Sequence, residues 1–343
     1  MQTVRILAWC WLAVVATIAP AFAQAQVPAA NAPREWKLST AVGPAFALGK
    51  AGARWAALIG EKSAGRLAVK AHPGATLAHR DPAREFSALR DGAADLAIGS
   101  TLAWSGAVAE LGVVGLPWLA PGGPQLAALA AEPFAGQLGA ALERAGVVAV
   151  AFAPLGHRAL ATVAKAVREP ADVAGLRVRV PAVPAILDLY ATLGALPQSL
   201  GFAAAQAAFK SGALDGQDGP AASFVAARLE ASGFRHVVDW QAVGEIAVFA
   251  VNRAVWNAWS DAERAFVREA ATATAGELAV LARDEAAQAL ADLRQRGLAT
   301  TRLTAEGHAA LAAASRAAYD RWAGAAGVEL VRAAEAAVQA AGR

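Results

Sequence analysis

Apolar and polar positions along the chain switch between two periods. Short apolar runs, most of them rich in β-branched residues and bounded by Gly or Pro, fall at Trp36–Ala41, Leu67–Ala71, Leu96–Ile98, Val147–Phe152, Leu176–Val180 and Ile246–Val251. They predict strands. Phe46–Ile59 and Arg84–Arg90 predict helices between them, and Gly92 suits the left-handed position that closes the second. Strands alternating with helices imply an α/β architecture with largely parallel sheets. From about Ala254 the pattern turns helical and charged, with no strand longer than Thr300–Leu303. Ser260-Asp261-Ala262-Glu263 has the form of a helix cap with acid in the first turn. One long helix is therefore expected over Asp261–Arg296, and another over Ala305–Ala341 with a break near Gly324–Gly327.

An internal echo adds a constraint. Ala88-Leu89-Arg90-Asp91-Gly92-Ala93-Ala94-Asp95 and Ala208-Phe209-Lys210-Ser211-Gly212-Ala213-Leu214-Asp215 share one pattern. Each has an apolar helix end, a basic residue, a Gly stop, and an Asp three residues after the Gly. Two copies are too few for a solenoid. Two similar lobes facing one another is the simpler expectation.

Composition narrows the class. With 57% hydrophobic and 17% charged residues over 343 positions, the chain can bury a large core and is too apolar to be disordered. The single cysteine, Cys10, excludes intrachain disulfides and cysteine-built metal sites. The 31 basic and 28 acidic residues nearly balance, so no broad positive field exists to attract nucleic acid. Met1–Gln26 reads as an export signal: Arg5 starts it, Ile6–Ile18 is apolar, and Ala21-Phe22-Ala23 is a small-x-small cleavage site. The run is too short to span a bilayer and Pro20 ends it. Cleavage after Ala23 gives an exported, soluble chain without cysteine.

Little in the sequence announces catalysis. The five histidines form no metal-ligand pair at i,i+4 spacing, and neither a Gly-x-Ser-x-Gly elbow nor a nucleotide-type glycine loop is present. Neither an enzyme nor a cofactor is expected. Gly175–Pro220 is more informative. In Leu176-Arg177-Val178-Arg179-Val180 the two arginines point to one face and the apolar residues to the other. Pro181 ends the strand at the kind of C-terminal edge where α/β sheets bind ligands. A guanidinium there can hold a carboxylate through two parallel hydrogen bonds. It can equally be solvated, or paired with an acid such as Asp172, and spacing alone leaves these readings level.

At this segment the chain resembles the solute-binding proteins of TRAP transporters, the DctP type. The resemblance runs through Gly175-Leu176-Arg177-Val178-Arg179-Val180-Pro181, the Leu193-Gly194-Ala195-x-Pro197 turn, Phe202, and Gly212-x-x-Asp215-Gly216-Gln217. Gly74–Asp95, Gly156-His157-Arg158, Val243-Gly244-Glu245 and the Trp256 helix also fit. It implies an α/β, two-lobed periplasmic binding protein fold with a long helix crossing both lobes and C-terminal helices. It divides the chain into a signal peptide (1–23), lobe I (34–154 and 243–284), lobe II (155–242 and 285–304) and C-terminal helices packing on the lobes (305–343).

The same resemblance implies a function. Arg179 would pair with a substrate carboxylate, Arg158 would reach the ligand as a second arginine, and Phe202 would pack on it. Gln217 and Trp240 join the expected ligand-binding set, the latter as an aromatic that suits an aromatic acid. Gly219 is a departure: the family usually has Glu-Asn-Pro where this chain has Asp218-Gly219-Pro220, so the amide that helps hold the carboxylate is missing. Glycine there makes room for a bulkier acid or for a water. The implied partners are a small organic acid and the small and large TRAP membrane subunits, with a monomer expected over a dimer. A receptor for another importer, a ligand-presenting partner of a membrane sensor and a periplasmic enzyme on organic acids are the competing functions.

Overall fold

One βαβαβ unit occurs twice in the chain, and its two copies form the centres of two separate sheets. The computed structural model describes residues 35–343, so the export-signal reading of 1–26 lies outside the described residues. The strands are β1 (Glu35–Thr40), β2 (Ala68–Pro73), β3 (Leu96–Ser100), β4 (Val147–His157), β5 (Ala159–Thr162), β6 (Arg177–Val180), β7 (Leu196–Ser199), β8 (Gly216–Gly219), β9 (His236–Asp239), β10 (Gly244–Asn252) and β11 (Ala299–Arg302). The first sheet has the order β2-β1-β3-β10-β4 and the second β11-β9-β5-β8-β6-β7. Thus β2-β1-β3 and β7-β6-β8 are the same parallel arrangement, once in each lobe.

The echoed octapeptides mark equivalent places in these units. Gly92 and Gly212 stop their helices at φ of 84° and 70°, where only glycine is free of a Cβ penalty. Asp95 then brackets Lys37 in β1: its carboxylate accepts from the Lys37 N–H at 2.8 Å, and its own N–H donates to the Lys37 carbonyl at 2.9 Å. Asp215 does the same to Arg177 in β6, at 3.0 and 2.8 Å. One short motif therefore clamps the first strand of each unit to the strand that follows.

The sheets are mixed rather than largely parallel. The chain passes between the sheets from β4 into β5, from β9 into β10 and again before β11, and the strands β5 and β10 run against the parallel core. β10 is antiparallel to β3 and β4, and β5 is antiparallel to β8 and β9. Strands β5, β7, β8 and β9 have no predicted counterpart. β8 is Gly-Gln-Asp-Gly and carries no β-branched residue, so its form comes from neighbours on both sides rather than from propensity.

The long helix is Asp261–Gln295, one residue shorter than expected, and Ser260 and Glu263 form its reciprocal cap. At 1.5 Å per residue it is about 52 Å long. Its buried residues from Val267 to Ala282 lie in the core of the first lobe, and Ala289 and Leu293 lie in that of the second. It is thus a strut common to both. The C-terminal region breaks twice rather than once, into Ala305–Ala314, Arg316–Ala326 and Val328–Ala341. The unforeseen break is at buried Ser315, whose Oγ accepts from the Trp118 indole N–H at 2.8 Å. Leu311 packs in the second lobe's core, and Tyr319, Val331 and Ala334 pack in the first's. Among the described residues no helix is long and apolar enough to cross a membrane.

One buried carboxyl gives the first lobe a pH dependence. Glu85 opens the helix Glu85–Arg90, is fully buried, and accepts from Ser39 Oγ at 2.8 Å. Burial, opposed by the Ser39 bond, pushes its pKa up from an ordinary 4.5 to about 8. Between those values the folded chain keeps a proton that the unfolded chain gives up. The stability this proton supports is complete below pH 4.5 and is lost as pH rises toward 8. Melting curves from about pH 5 to 8 should show Glu85→Gln flattening the decline by a few kcal/mol relative to wild type. Parallel curves for the two proteins would refute this role.

Candidate functional site

Parallel strands of both lobes aim their C-terminal ends at the space between the sheets, where α/β proteins collect ligands. The segments after β1, β3 and β8 line a cavity of about 220 Å³ there, at Val42, Ser100 and Pro220. The crossing strands close it at Gly156, His157 and Glu245, and the long helix closes it at Ala282 and Glu285. Phe46 and Leu48 add apolar wall from the start of the helix Ala47–Lys62. That helix has no side-chain cap of its own. Glu285 supplies one from the long helix, accepting from the Ala47 N–H at 2.8 Å.

Arg158 stands where the chain passes between the lobes. Its N–H donates to the Val243 carbonyl at 3.0 Å, tying the two crossing segments together. Its Nε donates to both Asp218 oxygens, at 2.7 and 2.9 Å, and Nη1 donates to Glu245 at 2.6 Å. Arg158 is 7% and Asp218 1% exposed, so this is a buried ion triad joining the β4–β5 junction to β8 and β10. Burial works against the charge on Arg158, but the two carboxylates outweigh it and hold the guanidinium firmly protonated. Nη2 donates to no acceptor among the described residues. It is the arginine atom nearest Gly219, 3.9 Å from where a Cβ at that position would stand.

Arg179 is in the opposite condition. It is half-buried on β6, and its Nε donates to the Leu200 carbonyl at 3.0 Å. No carboxylate among the described residues lies in ion-pair range of it. Burial and the nearby positive Arg158, partly offset by Asp218, draw its pKa below the ordinary arginine value. Its neighbour in the strand, Arg177, is fully used: Nε and Nη2 grip Asp215 at 2.8 and 2.7 Å, and Nη2 also reaches the Gly212 carbonyl. Of the two arginines that alternation assigned to one face, one is structural and the other is in no ion pair among the described residues. The structural one pairs with Asp215, not Asp172.

The remaining expected site residues separate. Gln217 is buried on β8 directly beside Arg179 in the β6–β8 register. Gly219 is buried, and a side chain there would strike Ser223 Oγ at 2.8 Å and the Phe224 ring at 3.3 Å. The space beside Gly219 is therefore already filled by Ser223 and Phe224. Trp240 lies in the second lobe's core, 2% exposed, with ring centroids 5.8 Å from Trp118 and 5.6 Å from Tyr190. Neither it nor Arg158, Arg179, Gln217 or Gly219 is among the residues lining the cavity. Phe202 opens the helix Phe202–Lys210, two residues after the carbonyl that holds Arg179, and its side chain lies outside what is described. Asp218, Glu245 and Glu285 were not foreseen as site residues. Arg158 meets its two partners across 60 and 87 positions, and Ala47 meets Glu285 across 238, so no local spacing signals them.

Comparison with known proteins agrees with this geometry. The family model of bacterial extracellular solute-binding protein, family 7 (DctP) matches residues 38–325. The chain belongs to the DctP family. A TRAP periplasmic solute-binding protein from Ralstonia eutropha H16, solved with (S)-2-acetolactate, is 38% identical, with a TM-score of 0.84 over 89% of this chain and 98% of that one. Among curated sequences, an uncharacterized protein of Sinorhizobium fredii is 32% identical over 52% of this chain and 33% of its own length. A solute-binding protein of Roseobacter denitrificans is 32% identical over 41% of this chain and 43% of its own. The chain thus spans between a third and half of the curated relatives it matches first. Its two-lobed fold is shared with the solute-binding protein of Ralstonia eutropha.

The buried triad makes a distinction that family membership does not. Arg158→Ala would leave Asp218 and Glu245 facing each other without a cation, and should cost about 3–5 kcal/mol in urea unfolding. Arg179→Ala breaks no ion pair and should cost under about 1.5 kcal/mol. Equal losses for the two variants would contradict the assignment of the triad as structural.

Proposed function

We propose that this chain is the periplasmic solute-binding subunit of a TRAP-type secondary transporter, which captures an organic acid by hinge closure and delivers it to membrane subunits. In this reading lobe I is 34–154 with 243–284 and lobe II is 155–242 with 285–304. The protein is exported, with its signal cleaved near Ala23. The observation that carries the reading is Arg179, a half-buried guanidinium beside another cation and in no ion pair among the described residues. An incoming carboxylate supplies the ion-pair partner.

The steps follow from the same electrostatics. In the open form the cleft is wet and the attraction between ligand and Arg179 is screened. The two crossing segments and the long helix bend as the lobes approach, and closure excludes water. The lower dielectric strengthens the ion pair, so the ligand binds the closed form better and shifts the population toward it. Arg158 offers Nη2, because Nε donates to Asp218 and Nη1 to Glu245. The second arginine thus serves the ligand as one fixed donor. The acetolactate carried by the Ralstonia eutropha relative supports a small oxygenated acid as cargo.

Calorimetry of the mature chain with its best-binding acid tests this directly. Arg179→Ala should weaken binding by roughly a hundredfold or more, the worth of two charge-assisted hydrogen bonds, while circular dichroism stays unchanged. Wild-type affinity in a folded Arg179→Ala protein would overturn the carboxylate role.

A further inference from the structure

We propose that the lobes turn about the loop 116–120, with the Trp118 indole as the pin of the joint. The backbone of this residue belongs to the first lobe, and its ring is set in the second. The inference rests on the hinge closure given above and places the axis of that movement.

Packing puts the loop between the lobes. Leu116, Leu119 and Ala120 are buried in the first lobe's core, whereas the Trp118 ring packs on the core of the second. Its ring centroid there is 5.8 Å from that of Trp240 and 4.8 Å from that of His308, edge to face with both. The indole N–H reaches a third element, donating at 2.8 Å to the buried Ser315 Oγ at the break between two C-terminal helices. Close-packed cores do not yield to sliding. A side chain that leaves one core for another keeps its place during a rotation only if it lies near the axis.

The backbone marks the same point. The Trp118 N–H donates to the Ala242 carbonyl at 2.7 Å, and the Ala120 carbonyl accepts from His157 Nε2 at 2.7 Å. Ala242 lies in the segment from β9 to β10, and His157 ends β4 just before β5, so one loop holds both of these crossing segments. Displacement in a hinge rotation is least where the chain crosses, and a loop bonded to both crossings shares it. Trp118 has a φ of 64°, and Gln241, beside the acceptor Ala242, has a φ of 55°. Long side chains rarely enter this left-handed region, and the surrounding contacts must hold them in it. Hinges are short segments that absorb changes in dihedral angle. Two such residues flank one hydrogen bond between the loop and the crossing segment. With the ring seated in the second lobe, the loop can twist but not slide, and the lobes rotate along one path.

The mature chain contains no cysteine, so Ala57→Cys and Ala207→Cys give each lobe one spin label. Both positions are exposed, on the helices Ala47–Lys62 and Phe202–Lys210. Pulsed electron–electron resonance then reads the distribution of distances between the lobes without any ligand. Trp118→Ala removes the pin, and the distribution should spread to both shorter and longer distances than in wild type. Trp118→Phe keeps a ring in the second core and should stay close to wild type. Leu138→Ala, a truncation inside the first lobe's core, should lower the melting temperature and leave the width unchanged. A Trp118→Ala distribution as narrow as that of wild type overturns the inference. Equal spreading in Leu138→Ala also overturns it, because the effect is then a general loss of packing. Should Trp118→Ala not fold, Trp118→Leu is read in the same way. The calorimetric test of Arg179 is independent. Lost binding in Arg179→Ala beside an unchanged width in Trp118→Ala overturns the pin and keeps the capture reading, and the opposite pair of results does the reverse.

Discussion

The ion triad of Arg158, Asp218 and Glu245 is the constraint on which the rest of the molecule depends. It lies at the junction of β4 and β5, where the chain leaves one sheet for the other, and it reaches β8 and β10 as well. Three charges removed from water are expensive, and their attraction repays the cost only with tight geometry. The distances of 2.6–2.9 Å provide that. Such a cluster is weak evidence for stability gained over an apolar replacement. What it does is fix the positions of the crossing strands, and with them the floor of the cleft.

Around that fixed point the molecule is organised by repetition. Both lobes use the same β2-β1-β3 type of unit, the same glycine stop and the same aspartate clamp. Each unit therefore presents its strand ends to the other across the cleft. The long helix contributes to both cores and also caps a first-lobe helix through Glu285, so it joins the lobes together with the crossing segments and the C-terminal helices. The asymmetry that makes a binding site comes from two arginines in one strand. Arg177 is consumed by the clamp and Arg179, two residues on, is left to the ligand.

Much of this was legible in the sequence, for a physical reason in each case. Apolar runs between Gly and Pro marked β1, β3, β4, β6 and β10, and the reciprocal cap at Ser260 and Glu263 marked the start of the long helix within one residue. The octapeptide echo marked equivalent turns because a helix stop and an aspartate clamp are local chemistry. β8 was invisible, since Gly-Gln-Asp-Gly becomes a strand only between β5 and β6. The antiparallel direction of β5 and β10 was missed because pairing direction depends on where the chain crosses, not on periodicity. Spacing did not separate Arg177 from Arg179, although the clamp residue Asp215 was already visible in the echo. The wrong acid, Asp172, was closer in sequence. Arg158 was read as a ligand contact from resemblance alone, and its two buried partners emerged only with the fold.

The central claim is that the carboxylate of a bound acid pairs with Arg179. A crystal structure of the mature chain grown with its best-binding acid tests it most directly. The account predicts a carboxylate about 3 Å from the Arg179 guanidinium, within reach of Arg158 Nη2, with the bonds from Arg158 to Asp218 and Glu245 intact. A ligand whose carboxylate lies elsewhere in the cleft, with Arg179 paired to a protein acid or turned to solvent, would contradict it.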